Sequence, residues 1–292
     1  MKKRLFVVAF VAALAAASAA AFTMMHVQRR QKSDTTTHAT LASASEASGE
    51  ASDSRATRTR VPVVVELFTS EGCSSCPPAD ALLARMDKTQ PVEGAEVIAL
   101  AQHVDYWNYL GWSDPFSSHE FSERQGEYAR AFGNDGVYTP QMVVDGRAEF
   151  PGGNSDKAFD EIASAARAPK AEVILSRADA GQDDGGALRF SVRVEKPPKV
   201  SDGDAADVLL AITEGGLSSD VARGENAGRK LGHVGIVRRL TKLGELGAGA
   251  FSTEASVVLD KSWRRENLRA VVLLQERASR RVVGATSIKL FG

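Results

Sequence analysis

The hydrophobic pattern of the chain starts with an alanine-rich apolar run and changes, after a polar stretch, to short apolar segments separated by turns. The run over residues 5–22 follows Lys2, Lys3 and Arg4, which is the layout of an export signal. Small residues at its end offer a cleavage site, and its length also approaches that of a short membrane anchor. The pattern therefore predicts a signal peptide or signal anchor over residues 1–22. The protein is expected to be exported, either periplasmic or secreted, and to touch a membrane only if this segment stays uncleaved.

Residues 23–60 are polar and rich in serine, threonine and alanine, and they predict a disordered linker. Ordered structure is expected from Val61 onward. Residues 63–68 are apolar and largely β-branched, which predicts a buried strand, and residues 96–101 predict a second strand.

Two helices are predicted next to these strands. Residues 74–87 place two prolines in a first helical turn, where a missing N–H group is tolerated, and they carry an apolar face. Residues 117–132 show a second helical pattern. A long aromatic segment separates the second strand from this helix, which indicates an insertion.

A hairpin and a third helix complete the first predicted domain. The Asp145-Gly146 pair lies between the apolar residues 141–144 and 148–150, which is a strong hairpin signal. Residues 155–167 then predict a helix. This order of elements matches a thioredoxin-like α/β domain over residues 61–169, with a helical insertion between its second and third strands.

The pattern changes to short β segments after Pro169. Seven candidate strands, separated mostly by Gly, Asp and Pro, predict a β-rich, sandwich-like C-terminal domain over residues 170–292. The predicted strands are residues 172–177, 187–195, 206–213, 234–240, 252–259, 268–275 and 282–290.

Composition narrows the classes of function. The chain has 292 residues and a formal net charge of -1, so its overall charge favours neither nucleic acid nor an anionic membrane. It contains no Walker loop, no GxGxxG motif after a strand and no HExxH motif. We therefore expect no cofactor and no nucleic-acid partner.

The candidate chemistry lies in the only two cysteines, Cys73 and Cys76, which follow the first strand and open a helix. A CxxC motif in this place indicates a redox pair, because the helix N-terminus favours a thiolate at Cys73 and places Cys76 to resolve a mixed disulfide. A structural disulfide and a metal site are the alternatives. Closing so short a loop stabilises a fold by only about 2 kcal/mol, which disfavours the structural disulfide.

Two other residues fit a redox site. A cis peptide at Thr139-Pro140, ahead of an apolar strand, would expose backbone for pairing with a substrate chain. Glu66 is the one charged residue of the first strand, and it either faces the surface at a strand edge or lies buried under the cysteines. If it is buried, desolvation raises its pKa and suits it to proton transfer.

The segment after the second strand is aromatic and polar, and it contains His103, Asp105, Tyr106, Trp107 and Trp112. It is interpreted either as a loop that packs on the core or as a wall of the substrate groove, with His103, Asp105 and Trp107 close to the substrate. A copper(I) site formed by both cysteines and His103 is a further alternative.

A polar segment over residues 225–233 precedes a C-terminal strand. Glu225, Asn226, Arg229 and His233 either line a surface between the two domains or satisfy one another's hydrogen bonds.

Four motifs resemble the domain-of-unknown-function 1223 family of secreted proteins: ELFTSEGCSSCPPAD, HVDYWNYLGWSDPF, VYTPQMVVDG and GENAGRKLGHVGIVRRL. The resemblance extends from about Val61 to the C-terminus. It implies a thioredoxin-like fold, a redox pair at Cys73 and Cys76 and a cis-proline at Pro140. The Ser-Ser between the cysteines differs from the Gly-Pro of thioredoxin and the Pro-His of the periplasmic oxidant, so the direction of electron flow stays open.

Together these features predict an exported thiol–disulfide oxidoreductase that acts on protein thiols and exchanges electrons with an unidentified redox partner. Cys73 attacks, Cys76 resolves, Glu66 manages protons and the Thr139-Pro140 backbone docks the substrate. This mechanism requires an uncovered sulfur at Cys73 with Pro140 beside it. The alternatives are a non-enzymatic periplasmic binding or assembly module with an inert disulfide, and a copper(I) metallochaperone.

Overall fold

The structure is a computed structural model that describes residues 60–177 and 187–291. The predicted export signal over residues 1–22 lies outside the described residues, as does the predicted linker up to residue 59. In the described part of the chain, no helix combines the length and the apolar character needed to cross a membrane.

The first half of the described chain alternates strands and helices. Strand β1 spans Val61–Thr69, helix α1 Pro77–Thr89, strand β2 Ala95–His103 and helix α2 His119–Phe132. All four predicted elements are confirmed. Helix α1 begins later than predicted because the CxxC segment forms turns before it.

The predicted hairpin is also confirmed. Strand β3 spans Gln141–Val144 and pairs antiparallel with β4, Ala148–Pro151, before helix α3, Ser155–Ala166. Asp145 and Gly146 both have positive φ angles, 50° and 60°, as a tight two-residue turn between twisted strands requires. A Cβ atom on Gly146 would lie 1.9 Å from the Arg280 carbonyl oxygen, so only glycine fits there.

The second half of the described chain is built from strands, and all seven predicted strands are present. The observed strands are β5 Ile174–Arg177, β6 Ala187–Val194, β7 Ala206–Glu214, β8 Leu217–Asp220, β9 Lys230–His233, β10 Ile236–Leu246, β11 Phe251–Val258, β12 Leu268–Glu276 and β13 Val282–Lys289. Strands β8 and β9 were not predicted because their sequences are short and polar.

An eight-stranded sheet runs through both halves, in the order β13-β12-β7-β10-β2-β1-β3-β4. Strand β1 is parallel to β2 and antiparallel to β3. The halves meet where β10 pairs with β2, at Ile236 and Ala101. A three-stranded sheet, β11-β6-β5, and the hairpin of β8 and β9 complete the strands of the described residues.

The side chains of β1 alternate between the two faces of this sheet, as a strand requires. Val65 and Leu67 pack in a hydrophobic cluster with residues of α1 and α3. Val64 packs with Phe121 of α2 on the opposite face. Glu66 lies on the α2 face too, because it is bonded to that helix. Helices α1 and α3 therefore cover one face of the sheet, and α2 covers the other.

The C-terminal strands form a second layer, but they do not form a separate core. Phe190 of β6 packs with Leu210 of β7 and with other residues of one cluster, which joins the three-stranded sheet to the large one. Val64 and Leu273, however, share a cluster across the predicted boundary at residues 169 and 170. The prediction of two separate domains is therefore wrong, because the two halves share one sheet and one side of its core.

Candidate functional site

The two cysteines lie in the turn that connects β1 to α1. Cys73 and Cys76 form a disulfide with a Cα–Cα distance of 5.5 Å. Cys76 is the N-cap residue of α1, and the two following prolines occupy the first helical turn. The disulfide therefore lies at the positive end of the helix, where a thiolate would be stabilised after reduction.

Both cysteine side chains are fully buried, at 0% exposure, although Ser74 and Ser75 between them are exposed. The prediction of an uncovered sulfur at Cys73 is therefore wrong. Asn226, which bonds to the backbone carbonyl of Cys73, lies 153 positions further along the chain, so the residues near the CxxC motif do not indicate this contact.

Residues 221–229, between β8 and β9, form a covering loop over the CxxC turn. Asn226 is buried, and its Nδ2 donates hydrogen bonds to the backbone carbonyls of Glu71 and Cys73, at 2.9 and 2.8 Å. Arg229 Nη1 donates to Asn226 Oδ1 at 2.8 Å and so fixes the orientation of the amide. Two carbonyl groups next to the disulfide thus obtain their hydrogen bonds from this loop.

A second contact joins the covering loop to the residues between the cysteines. Glu225 Oε2 accepts a hydrogen bond from the backbone N–H of Ser74 at 2.9 Å, and hydrogen bonds from the side chain and the backbone of Ser74 lower the pKa of Glu225. The polar segment over residues 225–233 was predicted either to line a surface between the two halves or to satisfy its own hydrogen bonds, and each interpretation describes part of it. Arg229 satisfies Asn226 within the loop, while Asn226 and Glu225 line a contact between distant parts of the chain.

The Thr139-Pro140 peptide is cis, as predicted. Trp107 connects it to the cysteine turn: its Nε1 donates to Thr139 Oγ1 at 2.8 Å, and a Cβ atom on Gly72 would lie 3.1 Å from Trp107 Cβ. Trp107 also packs against the core cluster of Phe68. Trp107 therefore packs on the core and also lies beside the cysteine turn, so the two interpretations of this residue are compatible.

Glu66 is buried, but it does not have the raised pKa that was expected. Burial alone would raise its pKa, yet the ion pair and hydrogen bonds with Arg124, together with a hydrogen bond from Tyr128, lower it overall. Arg124 Nε lies 2.7 Å from Glu66 Oε2, and Gln102 and Tyr128 also donate to this carboxylate. An acid held ionised in this way is poorly suited to manage a proton, so the prediction for Glu66 is wrong in this respect.

A buried network of polar side chains lies behind the cysteine turn. Glu71 receives a hydrogen bond from Trp112 Nε1 at 2.8 Å and pairs with His233 Nε2 at 3.0 Å. His103 Nδ1 lies 2.8 Å from Asp114 Oδ2, which also accepts from the backbone N–H of Glu71. The rings of His103 and His233 have their centroids 4.7 Å apart.

The network explains the pKa of His103. Burial alone would lower that pKa, but the charge and hydrogen bond of Asp114 raise it overall. His103 is fully buried, and thus it does not form a wall of an open groove. Asp105 lies apart from the network: it accepts from Ser122 Oγ at 2.5 Å and pairs with His119 at 3.2 Å, near the start of α2.

Comparison with known proteins shows where the chain belongs. The family model described as "Protein of unknown function (DUF1223)" matches residues 64–275. The chain belongs to the DUF1223 family. The resemblance inferred from the four motifs is thereby confirmed. A search of curated proteins found no match.

A solved structure is similar to this DUF1223 chain over most of its length. It is the X-ray crystal structure of a structural-genomics target protein from Agrobacterium tumefaciens, with 32% sequence identity and a TM-score of 0.62. The match covers 80% of the present chain and 95% of the other one.

Asp80 is a residue of this DUF1223 site that the sequence analysis missed. It lies one helical turn after Cys76, and its backbone N–H donates to the Cys76 carbonyl at 3.1 Å. Burial raises the pKa of Asp80, and the charges of His233 and His103 offset only part of that shift. The signal in the sequence was the spacing of four residues, which puts both side chains on one face of a helix. In the described part of the chain, no group of three or more His, Cys, Asp or Glu side chains is arranged to hold a metal ion.

Replacement of Asp80 by asparagine is expected to stabilise the DUF1223 chain at neutral pH, by about 1.4 kcal/mol for each unit by which the pKa is raised. The folded pKa lies above the ordinary value of 3.8, so the wild type loses stability as the pH rises through the folded pKa. The difference between Asp80→Asn and wild type should therefore vanish below about pH 3.8. Urea unfolding across this pH range measures it.

The matched control is Asp160→Asn, an exposed aspartate on α3, which should change the stability at neutral pH by less than about 0.5 kcal/mol. If Asp80→Asn were instead less stable than wild type at neutral pH, the buried carboxylate would be a net stabilising charge, contrary to its raised pKa.

Proposed function

We propose that this protein is a thiol–disulfide oxidoreductase that acts on protein thiols through Cys73 and Cys76. The observation that supports it best is a CxxC disulfide at the N-terminus of α1 with a cis X-Pro peptide tied to the same turn by Trp107. An isolated structural disulfide would gain nothing from either neighbour.

The arrangement of residues 61–169 supports the same proposal. Four strands lie in the order β4-β3-β1-β2 with β3 antiparallel to β1, and helices cover both faces. We regard this region as a thioredoxin-like unit in which the segment between β2 and α2 is an insertion. The C-terminal strands then extend the sheet beyond β2 and supply the covering loop.

The proposed reaction begins when a substrate thiolate attacks the sulfur of Cys73. The Cys73–Cys76 bond breaks, its electron pair leaves on Cys76, and this thiolate takes a proton from the carboxylic acid of Asp80. A second substrate thiolate then attacks the substrate sulfur of the mixed disulfide, which releases the oxidised substrate and leaves Cys73 as a thiolate. The substrate loses two electrons and the cysteine pair gains them; the reducing direction uses the same steps reversed.

Asp80 replaces Glu66 as the proposed proton carrier. The pKa of Asp80 is raised by burial, so a proton stays on it at a higher pH than on an ordinary aspartate. It also lies on the same helix as Cys76, one turn away. Glu66 has its pKa lowered and is bonded to α2 on the opposite face of the sheet.

Substrate docking is assigned to the backbone at Thr139, next to the cis peptide. An extended substrate segment would pair with this backbone and place its thiol near Cys73. Because both sulfurs are covered in the described conformation, the covering loop has to move before the substrate reaches Cys73.

The test is disulfide exchange on insulin or a scrambled protein substrate. Wild type should accelerate exchange, and Cys73→Ser should reduce the rate to that of the uncatalysed reaction. Ser164→Ala, at an exposed position of α3, keeps both cysteines and their surroundings and should retain the wild-type rate. Equal rates for wild type and Cys73→Ser would end the proposal.

A binding or assembly module with an inert disulfide is the second candidate, and the complete burial of both sulfurs favours it. A redox titration separates the two. A potential below about -300 mV indicates a structural bridge, whereas a higher value indicates an exchangeable one.

A further inference from the structure

A cavity of about 560 Å³ lies at the opposite end of β3 from the cysteine turn. Its lining comes from Arg147 in the β3–β4 turn, residues 169–172 after α3, residues 195–199 after β6, and Arg281 and Val283 near the start of β13. The volume falls within the range of about 300–1,000 Å³ that small-molecule sites occupy. The cavity lies between the β3–β4 turn of the first half of the described chain and the segments around β5, β6 and β13 of the second half.

The lining is strongly basic. Its charged residues are the cations Arg147, Lys170, Lys196, Lys199 and Arg281 and the carboxylates Glu172 and Glu195. Lys170 is paired with buried Asp145, so the other four cations and the two carboxylates give the cavity a formal charge of about +2. The whole chain has a formal charge of -1, so the positive charge is a local property of this cavity.

Three of these cations are available to a ligand, although the charge of Arg147 also favours the ionised form of buried Asp145. The side chains of Arg147, Lys196 and Lys199 are exposed and form no hydrogen bond or salt bridge with any described residue. Lys170 differs, because its ammonium pairs with buried Asp145 and it forms a fixed part of the wall.

Arg281 contributes a partly satisfied guanidinium group. The Nε atom of Arg281 is buried and lies 3.5 Å from Glu276 Oε2, but this atom has no hydrogen-bond partner. A guanidinium group recognises a carboxylate or phosphate through paired N–H donors. Both arginines of the lining, Arg147 and Arg281, therefore suit an oxyanion.

The rest of the lining is apolar and comes mainly from Pro169, Ile174, Pro197, Pro198 and Val283. Cations beside an apolar wall suit a ligand that has both a negatively charged group and an apolar part. We propose that this cavity binds a small amphipathic organic anion, with its carboxylate or phosphate on the arginines and lysines and its apolar body on the prolines. The site does not depend on the redox proposal, because it shares no residue with the cysteine turn.

The first experiment is calorimetric titration of the full chain with hexanoate, hexyl phosphate and the neutral analogue hexanamide. At least one anion should bind, at least about tenfold more tightly than the amide, because a hydrogen bond to a charged group is stronger than one to a neutral group. Added salt should weaken this binding. Tighter binding of the phosphate assigns a phosphate head group, and tighter binding of the carboxylate assigns a carboxylate.

Variants then locate the site. Arg147→Gln and Lys199→Gln, both at exposed positions, should each weaken binding of the preferred anion about tenfold. Arg193→Gln is the matched control, since Arg193 is exposed on β6 but does not line the cavity. The proposal is overturned if neither anion binds, if hexanamide binds as well as the anions, or if the two cavity variants bind like the control.

Discussion

Replacement of Asn226 by alanine is expected to speed chemical reduction of the Cys73–Cys76 disulfide by about tenfold to a hundredfold. Both sulfurs are fully buried, so a reductant reaches them only when the covering loop opens. The Asn226 amide holds the closed state through its hydrogen bonds to the carbonyls of Glu71 and Cys73. Each such bond contributes about 0.5–1.5 kcal/mol, and their loss raises the open population accordingly.

The measurement is the rate of thiol release under a fixed excess of dithiothreitol or phosphine, in native buffer. Asn134→Ala is the matched control, since Asn134 donates to Glu149 away from the cysteines and should leave the rate unchanged. Urea unfolding of both variants separates local opening from global instability. If Asn226→Ala reacts at the wild-type rate, the loop is not the barrier; if its rate rises only in proportion to lost global stability, the disulfide is exposed by unfolding.

Much of the secondary structure could be predicted because it depends on local periodicity. The apolar run around Val65 predicts a strand, and the turn signal at Asp145-Gly146 predicts a hairpin, whatever lies elsewhere in the chain. The choice of partner strands is not local. Nothing in the sequence near Ala101 indicates that β2 pairs with β10 at Ile236, and this pairing is what merges the two predicted domains into one sheet.

The same distinction applies to the candidate site. The positions of Cys73, Cys76 and Pro140 follow from short motifs, and the disulfide and the cis peptide occur where those motifs predict them. The cysteine turn is bonded to Asn226, and the ionisation of Glu66 depends on Arg124 in a different element. Both errors arise from contacts between residues that are far apart in the sequence.

The pair of Glu66 and Arg124 leads to the largest stability prediction. We expect Glu66→Gln to lower the free energy of unfolding at pH 7 by about 3–5 kcal/mol, because it leaves the guanidinium of Arg124 buried without its counter-charge. Arg124 is only 5% exposed, and apart from Glu66 its guanidinium bonds only to the neutral groups of Gln275 and Tyr128. Glu127 also favours the charged form of Arg124, but the contribution of Glu66 is larger, so most of the compensation is lost with the Glu66 charge.

The effect of this substitution should depend on pH in a defined direction. The pKa of Glu66 in the folded protein is below its ordinary value of 4.5, so the ion pair contributes fully above that value and is lost as the pH falls through the folded pKa. The difference between wild type and Glu66→Gln should therefore be constant from about pH 5.5 to neutrality and shrink in acid. Urea unfolding at a series of pH values measures it.

Glu161→Gln supplies the comparison, because Glu161 pairs with Lys157 on the surface of α3 and its loss should cost less than about 0.5 kcal/mol. A second variant, Arg124→Met combined with Glu66→Leu, removes both charges and should recover part of the lost stability, reduced by the cost of the Gln102 and Tyr128 donors that lose their acceptor. This recovery would show that Glu66→Gln lowers the free energy of unfolding through an uncompensated charge and not through altered side-chain packing. If Glu66→Gln instead kept wild-type stability but abolished disulfide exchange, Glu66 would have the proton-transfer role first predicted from its place in β1, and Asp80 would not.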